Sequence, residues 1–187
     1  MFFHAFTTKA NGRANRIITP IKVCQAFDPA KSPIPPYSLY DTTALWDTGA
    51  TNSVITNNTA KKLNLTPVGA TMISHAGGCC KSDTHLVNFV LPNAVQVPGV
   101  LVSECPDSAG NFGVIIGMDI ISQGDLAITN VNGMTVTSFR LPSIEIIDYV
   151  AIARKMKFAG IGRNEPCPCG KKNDSGKRFK FKQCCGR

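Results

Sequence analysis

An all-β fold is predicted by three features of the chain. Short runs rich in β-branched residues recur between residues 15 and 142, turn residues separate them, and few stretches sustain a 3.6-residue apolar period. Ile21-Lys22-Val23 alternates, residues 39–46 lead into Asp47, residues 86–91 and 95–97 flank Pro92-Asn93, and residues 126–131 and 134–139 flank Asn132-Gly133. Asn-Gly supplies the positive φ angles of a type I′ hairpin turn. A short helix is predicted after Thr56 or Asn57, since either side chain can cap a free first-turn amide, with Ala60 and Leu63 on one face. A second helix, Glu145 to Phe158, ends in Lys155 and Lys157 ahead of the stop signals Gly160 and Gly162. Residues 28–36 hold four prolines and are predicted to be a surface loop, because proline cannot donate to a central ladder.

A length of 187 residues with 43% apolar content suits one or two folded domains. No apolar run approaches the roughly 18 residues of a membrane span, which excludes a helical transmembrane protein. The first twenty residues lack a basic start, and His4, Thr7 and Thr8 break their apolar stretch. The expectation is a mature chain that begins here, in the cytoplasm. Of the net charge of +8, residues 161–187 contribute +6, from eight basic and two acidic side chains. Four of the eight cysteines, Cys167, Cys169, Cys184 and Cys185, also fall there, while Cys24, Cys79, Cys80 and Cys105 are scattered. Two compositions imply two modules. In a reducing compartment, two tight pairs suit metal ligation better than disulfides.

The sharpest motif is Ala44-Leu45-Trp46-Asp47-Thr48-Gly49-Ala50, followed by Asn52-Ser53-Val54-Ile55. Asp47 leaves an apolar strand at a turn where Gly49 allows reversal and close approach. By itself such an aspartate reads as an Asx-turn residue that ends a strand. Two later segments, in order, add weight. Residues 72–80 enter a Gly77-Gly78 tip and read as a mobile hairpin. Val114-Ile115-Ile116-Gly117-Met118-Asp119 is a buried strand breaking at a glycine into a helical turn. Over residues 15–142 this combination resembles the retropepsin-type aspartic proteases.

The resemblance implies a closed β-barrel, half of a homodimeric acid protease, that hydrolyses peptide bonds in a peptide or protein substrate without a catalytic cofactor. It makes Asp47 the catalytic residue, Thr48, Gly49 and Ala50 its loop, and Ala76, Gly77 and Gly78 the substrate-covering flap. Two carboxylates a few ångströms apart share one proton, so one acts as base towards water and the other as acid towards the carbonyl. One such loop per chain requires two copies about a twofold axis. Asp174-Ser175-Gly176 is set aside as a second source, since Lys171, Lys172, Lys177 and Arg178 surround it and no apolar strand delivers it. Asp119 is read as a helix-start or structural residue. His75 and His85 are expected at surface or flap positions, and Cys79-Cys80 as small packing residues rather than a redox-sensitive pair.

The tail, residues 163–186, resembles the SEC-C zinc motif, with Lys171-Lys172-Asn173-Asp174 and a repeated Phe-Lys lengthening its loop. That motif also ends the bacterial preprotein translocase motor ATPase, where it contacts an export chaperone and the ribosome. The resemblance implies one structural Zn²⁺ on Cys167, Cys169, Cys184 and Cys185. Four thiolates are what tetrahedral Zn²⁺ prefers, and so short a basic peptide needs a metal to fold. Lysines interleaved with Phe179 and Phe181 suit ribosome, chaperone or RNA contact. The division read from the sequence is a protease domain over 1–144, a helical linker over 145–160 and a zinc-binding motif over 161–187. The alternative to an enzyme is a catalytically silent dimeric peptide-binding adaptor.

Overall fold

The computed structural model describes residues 3–32, 34–75, 78–107 and 111–186. They fall into two compact units, Met1–Glu145 and Ile146–Arg187. The first holds ten strands: β1 (His4–Lys9), β2 (Ile17–Gln25), β3 (Tyr40–Trp46), β4 (Val54–Thr56), β5 (Gly69–His75), β6 (Gly78–Leu91), β7 (Val95–Cys105), β8 (Val114–Ile116), β9 (Asp125–Thr129) and β10 (Val136–Leu141). Two short helices, α1 (Asn57–Lys62) and α2 (Met118–Ile121), interrupt them.

Six strands close on themselves in the order β2, β3, β8, β4, β7, β6 and back to β2. Closure comes from β2 pairing β3 through Ile17↔Trp46 to Val23↔Tyr40 and β6 through Lys22↔Val90 to Gln25↔Val87. A closed ring leaves none of these strands as a free sheet edge along its paired length. The all-β, closed-barrel expectation therefore holds. β5 stands outside the ring as the partner of β6 in a hairpin from Gly69↔Thr84 to His75↔Gly78. Alternation fills the barrel. Ile21 and Val23 of β2, Val87 and Phe89 of β6, and Val114 and Ile116 of β8 are buried with Ile55 and Val102 in one core. Each contributes about 1.5–3 kcal/mol by leaving water.

The helix after Thr56 forms as the sequence reading anticipates. The Thr56 hydroxyl accepts from the Thr59 amide at 3.3 Å, Lys61 and Lys62 close the last turn, and Ala60 and Leu63 are buried. The turn at Asn132-Gly133 has both residues at positive φ, 55° and 75°. Yet the ladder closes at Thr129↔Val136, so the loop is longer than a two-residue turn. Thr135 is drawn away from β9. Its amide bonds Gly12 and its carbonyl accepts from Ala10.

β1 joins the anticipated β9–β10 pair in an additional three-stranded sheet, β1–β10–β9, and that addition was not apparent in the sequence. It is joined to the barrel by aromatic contacts: Trp46 at the end of β3 lies 4.9 Å from Phe139 of β10 and 5.8 Å from Phe6 of β1, ring centre to ring centre. The buried indole N–H donates to Thr19 at 3.0 Å. At the end of β10, Asp125 accepts from the Ser143 hydroxyl, the Ile144 amide and Arg140, which hold its carboxyl well below the usual carboxylate range. A depressed pKa contributes stability above the unfolded value of ~3.9 and loses it only as pH falls through the folded value. Mild acid leaves this clamp intact.

In the second unit, α3 spans Tyr149–Lys157, shorter than the predicted 145–158. Asp148 is extended, with φ −110° and ψ 94°, and its carboxylate caps the Ala151 amide, so the helix starts after it. Glu145 is instead engaged by Arg140 at 3.0 Å. Among the described residues, no helix is long and apolar enough to cross a membrane.

Candidate active site and metal centre

Asp47 follows the last residue of β3, and its amide continues the parallel β3–β8 ladder by donating to Ile116 at 2.9 Å. One carboxylate oxygen accepts from the Gly49 amide at 2.8 Å, and the Ala50 amide returns to the Asp47 carbonyl at 3.2 Å. The loop is thus a tight turn built on the carboxylate. Asp47 and Ala50 are half-buried, while Thr48 and Gly49 face outward.

The Ile-Ile-Gly segment holds this loop from behind. Met118 and Asp119 donate their amides to the carbonyls of Ala50 and Thr51 at 2.8 and 3.1 Å. Ser53 is fully buried. It donates to Asp119 from hydroxyl and amide at 2.8 and 2.9 Å and accepts from the Gly117 amide at 3.1 Å. Asp119 is therefore the anchor of the Asp47 loop, a specific form of the structural role read from the sequence. Ser53, in the motif's flank, drew no notice because its partner lies 66 positions away.

Gly117 is needed at its position by close approach. A Cβ there would sit 2.6 Å from the Asn52 carbonyl carbon and 2.9 Å from the Ala50 oxygen. Gly117→Ala is expected to push the Asp47 loop out of place and lower kcat/KM about 10²-fold with the fold retained. Peptide hydrolysis measured beside circular dichroism checks this, and near-wild-type turnover would show the loop tolerates the shift.

Of the residues expected to form a flap, Gly78 lies in the β5–β6 hairpin at φ +121°, while Ala76 and Gly77 lie outside the described residues. His85 departs from its expected surface or flap position. It is 1% exposed, with Nε2 2.6 Å from a Glu104 oxygen. The Asn57 amide nitrogen reaches the other Glu104 oxygen at 3.0 Å. Alternation on β6, which turns residues 85, 87 and 89 inward, explains the burial.

In the second unit, the sulfurs of Cys167, Cys169, Cys184 and Cys185 lie within 4.8 Å of one another. Neighbouring pairs are 3.3, 3.4 and 3.9 Å apart, far beyond the ~2.05 Å of a disulfide. A tetrahedral ion with Zn–S bonds of about 2.3 Å would set its ligands ~3.8 Å apart, so the donor set fits one. Main-chain bonds hold it. The Cys167 amide donates to Phe179 at 2.7 Å, and the Cys184 amide to Phe181 at 3.0 Å. The hydrogen bond with Cys169 pushes the Cys184 thiol up to about 12. A bound cation reverses such a shift and deprotonates its ligands. Asp174-Ser175-Gly176 forms the turn of a small hairpin closed by Lys172↔Arg178.

The family model described as aspartyl protease matches residues 40–120. No curated protein matches the sequence. A retropepsin-like aspartic protease from Rickettsia conorii aligns at a TM-score of 0.45 with 10% identity, over 75% of this chain and 96% of that one. EIAV protease in complex with an inhibitor aligns at 0.41 with 21% identity, over 57% and 86%. The retroviral protease-like domain of Ddi1 from Leishmania major aligns at 0.40 with 17% identity, over 72% and 100%. The family match takes in both the Asp47 loop and the Ile-Ile-Gly segment that anchors it, so over residues 40–120 the chain is similar to the aspartyl proteases.

Proposed function

We propose that two copies of this chain assemble about a twofold axis and cleave polypeptides at a centre formed by their two Asp47 carboxylates. The observation that carries this reading is the placement of Asp47: a tight loop, anchored from behind through Asp119, presents one carboxylate beside an outward-facing Thr48 and Gly49. Across the axis, Thr48 joins the two loops. The pair shares one proton, the ionised member takes a proton from the attacking water, and the protonated member donates to the peptide carbonyl oxygen. Expulsion of the amine then returns the pair to its starting state. Ala76, Gly77 and Gly78 close over the substrate and exclude water.

In this reading residues 1–144 are the protease domain, 145–160 a helical linker and 161–187 a module folded by one structural Zn²⁺ on its four cysteines. The module docks the cytoplasmic enzyme on an acidic partner: a ribosome, a chaperone or RNA. Its basic side chains among the described residues are exposed, whereas Phe181 packs on Phe158 at 5.2 Å, which favours recognition of charge over stacking on bases.

Subunit mixing tests the shared site. Combined with an equal amount of Asp47→Asn chain and allowed to exchange, roughly a quarter of all dimers should be fully wild type, with about a quarter of the activity of the same total amount of wild-type chain, because random pairing squares the intact fraction. Activity that stays at one half would place the whole site in a single chain and overturn the assembly.

A further inference from the structure

The barrel leaves one stretch of hydrogen-bonding edge open beside the catalytic loop. β7 is paired along one side by β6, from Thr84↔Ser103 to Leu91↔Val95. On its other side β4 reaches only Ser103, Glu104 and Cys105. β4 begins at Val54, because the residues before it turn away into the Asp47 loop to bond Asp119. The pairing positions that β4 would have occupied next to Val102 and Leu101 are left without a strand among the described residues.

That edge forms one wall of a groove of about 570 Å³. Ile120 and Gln123, from α2 and the turn after it, line it with Leu141 of β10, and Asn52 and Thr71 bring to it the catalytic loop and the flap strand β5. The groove offers what an extended polypeptide needs. It has a strand edge for the main chain, an aliphatic surface at Leu101, which is 55% exposed, and polar side chains at Asn52, Thr71 and Gln123. A strand rises about 3.3 Å per residue, so the edge over residues 97–102 matches a guest segment of roughly 20 Å.

We infer that this groove is a second binding site for the polypeptide substrate, which lies along β7 as an added strand continuing from the cleft at Asp47. The inference rests on the protease reading for its occupant. It makes the preferred substrate an unfolded chain, long enough to fill both cleft and groove, because only such a chain offers a free main chain over that span.

The test separates groove from catalysis. The full-length Asp47→Asn chain is incubated with a reduced, alkylated unfolded protein, and amide exchange is followed by mass spectrometry. Slower exchange over residues 97–102 is expected on binding. Exchange there that is unchanged by a saturating amount of the unfolded protein overturns the site, as does protection produced by raising the enzyme concentration alone, which would assign the edge to a second copy. In the active chain, Gln123→Trp, which fills the groove, should raise KM for the unfolded protein about tenfold relative to KM for a short peptide spanning the same cleaved bond. An equal change for both substrates also overturns it. A wild type that cleaves neither while the edge is still protected would refute the protease reading and leave the groove standing.

Discussion

Asp47→Asn is expected to abolish peptide hydrolysis while leaving the barrel folded. An amide in place of the carboxylate can still accept from the Gly49 amide, the 2.8 Å bond that shapes the loop, so the turn should persist. What disappears is the base. Asparagine takes no proton from water, and with both copies replaced nothing at the centre can supply or receive one. General acid–base catalysis contributes about 10²–10⁴-fold, so at least that loss is expected in kcat/KM. Turnover of an unfolded protein by wild type and variant, from mildly acidic to neutral pH, checks it. The wild-type profile should be bell-shaped, since a pair holding one proton works only between its two macroscopic titrations. Equal turnover by both proteins would move the chemistry away from Asp47.

The second large effect concerns the tail. Cys167→Ser combined with Cys169→Ser removes two of four donors from a cluster whose sulfurs lie within 4.8 Å of one another. Metal analysis of the purified chain should fall from about one zinc to none, because two remaining thiolates do not hold the ion in four-coordinate form. Structural zinc in peptides of this size carries about 10–16 kcal/mol of apparent binding free energy, which is also folding free energy. Amide exchange over residues 163–186 should therefore rise to the unprotected rate, while the unit spanning Met1–Glu145 keeps its own unfolding transition. Unchanged metal content would place zinc elsewhere or nowhere.

How far the sequence reveals the molecule depends on how local each signal is. Thr56 as a cap, Asn132-Gly133 at positive φ and the turn after Trp46 were legible because each is decided within a few residues. The β1 strand was not. His4 to Lys9 carries one core aromatic, Phe6, and its pairing partner β10 lies more than a hundred residues away. Ring closure was anticipated only as what the family resemblance implies, since the β2–β6 pairing that makes it joins residues more than sixty positions apart. At the site, the motif flanks exposed Asp47 and the Ile-Ile-Gly segment, but the link between them, Ser53 to Asp119, required the fold. Trp46 did hold a clue: an indole at a strand end beside the Asp47 turn needs partners to bury it, and Phe6 and Phe139 supply them. The helix start was misplaced because Glu145 and Asp148 favour a first helical turn on composition, whereas one is engaged by Arg140 and the other serves as the cap.

The protein has a single tryptophan, and it is the residue directly before Asp47, only 7% exposed between two phenylalanine rings. Its emission is therefore an optical reporter placed within one peptide bond of Asp47. The proposed pairing of two chains, or a displacement of the loop, can be followed by fluorescence in the unlabelled chain.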